Sequence, residues 1–150
     1  MESFTIRFAK EGDLNELLVL CELHAIYEKT PYDKLNKAKQ LNKHLFADIP
    51  SLYCIVVEKD KKLIGYATYM KQFSTWDADH YIYMDCLFLM EDARGLGIGE
   101  LLVKRIQKEA HQLQCSCIQW QTPDFNKRAI KFYHRIGASS KTKERFFLSV

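Results

Sequence analysis

The sequence predicts a single α/β domain spanning residues 1–150, with a mixed central β-sheet and helices on both of its faces. Three observations predict it. Extended runs and amphipathic helical stretches follow one another in the order β-α-α-β-β-β-α-β-α-β, with no internal repeat, low-complexity tract or linker between them. Residues 81–90 form a run in which Asp85 is the only charge, too uniformly apolar for a strand with one wet face, so it belongs mid-sheet and covered on both sides. At 150 residues, 47% hydrophobic and 27% charged, the chain has the length and composition of one domain with its own core.

Taken in order, residues 3–8 alternate and open the sheet. Gly12-Asp13 starts a helix, with Asp13 and Glu16 spaced as an N-cap and its reciprocal partner. Its stripe is Leu14, Leu17, Leu18, Cys21 and Ala25, and Pro31 ends it. A second amphipathic helix carries Leu35, Ala38, Leu41 and Leu45 before Pro50. Residues 52–58 and 63–71 read as strands of a hairpin around the polar turn at 59–62. Residues 72–79 are a loop with one large aromatic, Trp76, leading into the apolar run. A helix from Ile98 to about Leu113 follows, with Ile98, Leu101, Leu102, Ile106, Ala110 and Leu113 on one stripe. Residues 117–121 form a short strand, Asn126 caps a helix bearing Ala129, Ile130 and Tyr133, and Gly137 stops it. Residues 144–150 are expected to close the sheet as a last strand.

The net charge of +3 is small and the Lys and Arg residues are scattered, so nucleic acid is not an expected partner. No apolar run reaches membrane-spanning length and no secretory h-region is present, which makes a cytoplasmic protein the expectation. Five cysteines, an odd number lying inside or beside apolar segments, suit reduced thiols. His111 with Cys115 and Cys117 lacks a fourth ligand at a usual spacing, and no metal site is expected.

The most informative stretch joins the apolar run to its helix: Arg94-Gly95-Leu96-Gly97-Ile98-Gly99, then Glu100. Glycines at alternate positions allow positive φ and close approach of another group. The turn also opens a helix, whose first N–H groups lack internal partners and sit at the positive end of the dipole. With Arg94 this makes a site for a phosphate-bearing ligand. A bland alternative is a turn that uses Gly only for tightness. The spacing is not that of a dinucleotide fingerprint, and no Gly-Lys-Ser/Thr follows as a P-loop requires.

These residues resemble the GNAT superfamily of acetyl-CoA-dependent N-acetyltransferases, over essentially the whole chain. Residues Arg94 to Gly99 fit its R/Q-x-x-G-x-G/A loop, and Asn126 with Tyr133 seven residues on, in Ala-Ile-Lys-Phe-Tyr-His-Arg-Ile-Gly-Ala, fits its last motif. Within it the chain looks most like the diamine and polyamine acetyltransferases of the spermidine/spermine type, through residues 22–28, Tyr83-Met84-Asp85 leading into Phe88, and Phe132-Tyr133 to Gly137-Ala138. Asp85 stands where those enzymes carry Glu, Cys86 where they carry Asp, and Gln119 where they carry a substrate-contacting His.

The resemblance implies a GNAT fold and a set of roles. Amides of Gly95, Leu96, Gly97, Ile98, Gly99 and Glu100 would hold the pyrophosphate of coenzyme A, and main-chain groups of Leu87, Phe88 and Leu89 would pair with its pantetheine arm. Asn126 and Ala129 would touch the same cofactor, and Tyr133 would protonate the departing thiolate. Tyr27, Glu28, Trp76, Asp85 and Gln119 would line an acidic, aromatic amine site. It implies a small-molecule amine substrate and a homodimer.

The chemistry asks for such residues. An alkyl ammonium, with a pKa near ~10.4, must lose a proton before it attacks. Asp85 in a covered strand would be desolvated and a better base for it, a water chain being the alternative. The expectation is an N-acetyltransferase for a diamine, polyamine or lysine-like amine. The competing expectations are a protein or peptide amine acetyltransferase, and a non-catalytic acetyl-CoA-binding module.

Overall fold

The sheet follows the order of the chain. In the computed structural model, which describes residues 3–150, β1 (Thr5–Phe8) pairs antiparallel with β2 (Tyr53–Lys59), β2 with β3 (Lys62–Ser74) and β3 with β4 (Asp79–Leu89). The last strand, β5 (Ile118–Gln119), runs parallel to β4. The β2–β3 connection is a two-residue turn in which Asp60 and Lys61 both take positive φ, 51° and 62°, the backbone that matches strand twist in a tight hairpin.

Helices cover both faces, as the sequence predicts. On one side lie α1 (Leu14–Tyr27) and α2 (Lys37–Leu45), where Leu17, Leu20 and Leu45 pack on Val56, Tyr66 and Phe88. On the other lies α3 (Ile98–Gln112), whose Ile98, Leu102, Ile106 and Ala110 pack on Ile55, Val57, Ala67, Ile82 and Met84. Residues 54–57 of β2 face opposite layers in turn and are all buried, which is why the middle of that strand reads as a continuous apolar run. Each of these side chains contributes about 1.5–3 kcal/mol on burial. The last helix, α4 (Lys127–Arg135), begins at Asn126, whose Oδ1 accepts from Ala129 N at 3.3 Å. Gly137, at φ 98°, follows its end.

Several expectations are corrected. Asp13 and Glu16 do not form a reciprocal cap on α1: Asp13 accepts from Lys10 N and from Arg7, and Glu16 accepts from Leu63 N at 2.9 Å, tying α1 to β3. Helix α1 ends at Tyr27, before Pro31, and Leu35 lies outside α2 and exposed. Leu101 is on the outer side of α3, and Val103 is buried instead. Strands β3 and β4 extend into what reads as a loop, because cross-strand pairing continues to Ser74↔Asp79 whatever the polarity there. The last strand does not form. Among the described residues no strand pairs with 144–150, β5 being two residues long, and Phe146, Phe147, Leu148 and Val150 are exposed. Among the described residues no helix is long and apolar enough to cross a membrane.

Candidate active site

The site begins where two strands part. β5 meets β4 only at Ile82↔Ile118 and Tyr83↔Gln119. A register shift follows at once: Tyr69 pairs with Met84 and Thr68 with Cys86, leaving Asp85 as an extra, bulged residue. Bulges re-aim side chains and end pairing. From there to Leu89 no strand among the described residues lies along that side of β4, so its main chain is an open edge. Such an edge accepts an extended ligand by strand-like hydrogen bonds.

At the end of that edge a 3₁₀ turn, Glu91–Ala93, leads into the glycine turn and α3. Gly95 and Gly97 have φ of 77° and 79°, and no heavy atom lies within 4 Å of where a Cβ on either would sit. Gly97 is the N-cap of the 15-residue α3 and provides no side-chain cap, so the first-turn amides face outward. These amides, the dipole end and the bare backbone fit a diphosphate. Gly99 serves otherwise: a Cβ there would meet the Phe132 ring at 3.2 Å, so its absence lets α4 approach α3.

The other cofactor candidates converge here. Leu87 and Leu89 pack their side chains in the α3 layer and Phe88 in the α1 layer, which fixes the main chain of the edge. Asn126 is buried and accepts from the Tyr27 hydroxyl at 3.1 Å as well as from Ala129 N. Arg94 departs from expectation. Its Nε donates to Leu89 O at 2.9 Å and its guanidinium lies over the Tyr27 and Phe88 rings, at 4.4 and 5.4 Å, so it folds back across the edge instead of reaching over the glycine amides. Tyr27 is thereby held on the cofactor side, between Arg94 and Asn126.

On the amine side, Asp85 is exposed, which corrects the expectation of a desolvated carboxylate in a covered strand. The bulge and the departure of β5 are the cause. Tyr133 is half-buried and packs edge-on to Trp120, ring centroids 5.1 Å apart. Burial, then Glu28, Tyr27 and Cys86, push its hydroxyl up to about 12, so it stays protonated at any working pH and is a donor, not a base. Gln119 sits exposed at the apex of the parting strands. Trp76 does not join them. It is 97% exposed at the tip of the β3–β4 hairpin, and six residue steps along the strand, roughly 20 Å, separate Asp79 from Asp85.

The sequence reading missed His24. It is buried, stacks on Phe88 with centroids 5.2 Å apart, and its Nδ1 lies 2.8 Å from the Tyr66 hydroxyl. Its Nε2 is 3.3 Å from Glu28 Oε1. The signal was present, as His24 and Glu28 stand four residues apart on one helix face.

The Acetyltransferase (GNAT) family profile matches residues 17–138. Bovine (Bos taurus) thialysine N-epsilon-acetyltransferase is 31% identical over 92% of this chain and 85% of its own length. Human (Homo sapiens) spermidine/spermine N(1)-acetyltransferase-like protein 1 is 28% identical over 96% of this chain and 22% of its own. Among solved structures, an integron cassette protein from the mobile metagenome of V. cholerae superposes with a TM-score of 0.75 at 27% identity, over 100% of this chain and 94% of that one. The aminoglycoside N-acetyltransferase AAC(6')-Iy, in complex with CoA, superposes with a TM-score of 0.83 at 16% identity, over 99% and 96%.

Proposed function

Because the chain belongs to the Acetyltransferase (GNAT) family and is an acetyl-CoA-dependent N-acetyltransferase, we propose that its acceptor is the primary amine of a small cationic compound, a diamine, polyamine or lysine-like molecule, which attacks directly in a ternary complex. The observation that carries this is the placing of two carboxylates at the open edge of β4: Asp85 is exposed on the bulge of β4, and Glu28 lies 3.3 Å from His24, whose ring stacks on Phe88 of the same edge. Carboxylates there attract an ammonium and lower the cost of bringing it to the edge.

The glycine-turn amides, from Gly95 to Glu100, hold the diphosphate of the cofactor, and main-chain groups of Leu87, Phe88 and Leu89 hold its arm, with Asn126 and Ala129 alongside; Leu89 O already accepts from Arg94 Nε and keeps a second lone pair. Acetyl-CoA supplies the activated acetyl group. Asp85, through its carboxylate or a water it orders, accepts the ammonium proton. Edge N–H groups bind the charge that develops on the carbonyl oxygen. Tyr133 Oη–H donates to the departing sulfur. Acetylation of a protein or peptide amine is the alternative, favoured by the exposure of Asp85 and Gln119, which leaves the amine side open within one chain. We further propose a homodimer, on the exposed apolar residues 146–150, working in the cytoplasm, where five unpaired cysteines stay reduced. In a dimer a partner's hairpin tip could supply the aromatic wall expected of Trp76.

Thiol release from acetyl-CoA, measured across diamines, polyamines, lysine analogues and N-terminal peptides, tests the assignment. Saturable turnover with the small cations is expected, and turnover confined to peptides would transfer the assignment to the alternative.

A further inference from the structure

His24 is a buried, titratable residue to which the mechanism above gives no task. It sits between two polar partners on one helix turn and one strand: the Tyr66 hydroxyl at Nδ1 and the Glu28 carboxylate at Nε2. The carboxylate only accepts, so Nε2 carries the hydrogen, Nδ1 accepts, and Tyr66 donates. The Phe88 ring, stacked 20° from parallel, holds the imidazole plane.

Glu28 is oddly placed for a structural acid. It is the C-cap of α1, at the negative end of the helix dipole, where a carboxylate costs rather than gains stability. A neutral imidazole at this spot aims the carboxylate without cancelling its charge. We propose that His24 is a positioning residue that fixes Glu28 as the ammonium anchor of the acceptor site, with Tyr66 fixing the tautomer of His24. This rests on the amine-acetyltransferase reading above and adds the residue that positions its anchor.

The device has a pH consequence. The groups facing the ring are Glu28 from α1, Tyr66 from β3, Asp85 from β4 and Arg94 from the glycine turn. Burial outweighs the two carboxylates and holds the ring below its ordinary value, so it is neutral at neutral pH. Below its lowered pKa the imidazolium neutralises Glu28, and Tyr66 must turn its hydroxyl round to accept. The anchor then loses its net charge, and amine affinity falls as pH falls.

The test compares His24→Leu, which keeps apolar bulk and deletes the donor, with His24→Gln, whose amide can both donate and accept but cannot titrate. Expected for H24L is a roughly tenfold rise in KM for the amine, with KM for acetyl-CoA and kcat each within about threefold. H24Q should recover most of that loss, and its amine KM should lack the acid-side rise expected of the wild type. An unchanged amine KM in H24L, or equal rises in both KM values, overturns the proposal. Should H24L fail to fold, Tyr66→Phe is expected to raise amine KM selectively by severalfold, and no selective rise overturns it equally. Ring nitrogen shifts of the full chain by NMR need no substrate: a neutral Nε2–H tautomer at pH 7 is expected, and an Nδ1–H tautomer or an imidazolium would overturn the assignment. That arm stands apart from turnover, so a wild type that acetylates no amine would count against the proposed function and leave the His24 geometry to be judged by its spectrum.

Discussion

At the scale of single residues, Tyr133 and Gly97 separate chemistry from cofactor holding. On the proposed mechanism, removing the Tyr133 hydroxyl deletes a donor to the leaving sulfur while the ring still packs on Trp120. General acids contribute about 10²–10⁴-fold, so Tyr133→Phe should lower kcat by at least about a hundredfold and change coenzyme A affinity less than threefold; equal losses in titration calorimetry and turnover would make Tyr133 a packing residue. Gly97 has open space around it but a φ of 79°, so a side chain there meets backbone strain of about 1–2 kcal/mol rather than a neighbour. Gly97→Val should cost coenzyme A affinity at least tenfold by calorimetry while the circular dichroism spectrum stays that of the wild type. Unchanged affinity would remove the diphosphate from this turn. The structural positions of both, a positive-φ turn at a helix start and a place on α4, were legible in the sequence because glycine spacing and a helix face are local properties. The exposure of Asp85 was not legible, since a bulge depends on how β3 pairs with β4 and no residue type announces it.

At the scale of elements, the charged residues of the first segments do more joining than capping. Arg7 on β1 donates through Nη1 and Nη2 to Asp13 at 2.7 and 3.0 Å and through Nε to Glu58 on β2 at 2.8 Å, clasping strand, helix entry and neighbouring strand together. The Arg7 guanidinium, opposed by partial burial, holds the Asp13 carboxyl below its ordinary value, so Asp13 binds fewer protons folded than unfolded. Stability from this pair is therefore full above the unfolded value, near ~3.9, and is lost as pH falls through the lower folded one. Arg7→Ala should lower Tm at pH 7 by an amount that shrinks as pH is taken below about 4, read by calorimetry; a pH-independent difference would mean the loss is apolar stem packing. The sequence placed Asp13 at a helix start correctly and gave it the wrong partner, because a capping pattern cannot register a competing arginine six residues earlier. At α4 the same kind of reading succeeded: Asn126 caps as expected, yet its Tyr27 partner lies 99 residues away and was invisible.

At the scale of the whole molecule, the layers were readable and the end of the sheet was not. The periodicity of α3, the apolar content of α1 and the unbroken apolar strands imply two covered faces, and the two cores meet that description. What periodicity cannot tell is whether a strand-like segment finds an edge. Residues 144–150 carry Phe146, Phe147, Leu148 and Val150, all at least 80% exposed, because β5 is too short to receive them. Burying a Phe or Leu contributes about 1.5–3 kcal/mol, and two copies would bury twice four such side chains. That total, roughly 12–24 kcal/mol, exceeds most of the range of about 4–15 kcal/mol that association costs, so a dimer formed through these tails is within reach if most of them are covered. The full chain should sediment as a dimer at tens of micromolar, and Phe146→Ser with Phe147→Ser should shift it to monomer. If Trp76 reaches a neighbouring amine site in the dimer, the same double variant should also raise KM for the amine more than KM for acetyl-CoA. A wild type that sediments as a monomer at that concentration would refute the dimer, and the amine site would then have to be built from Glu28, Asp85 and Gln119 of one chain.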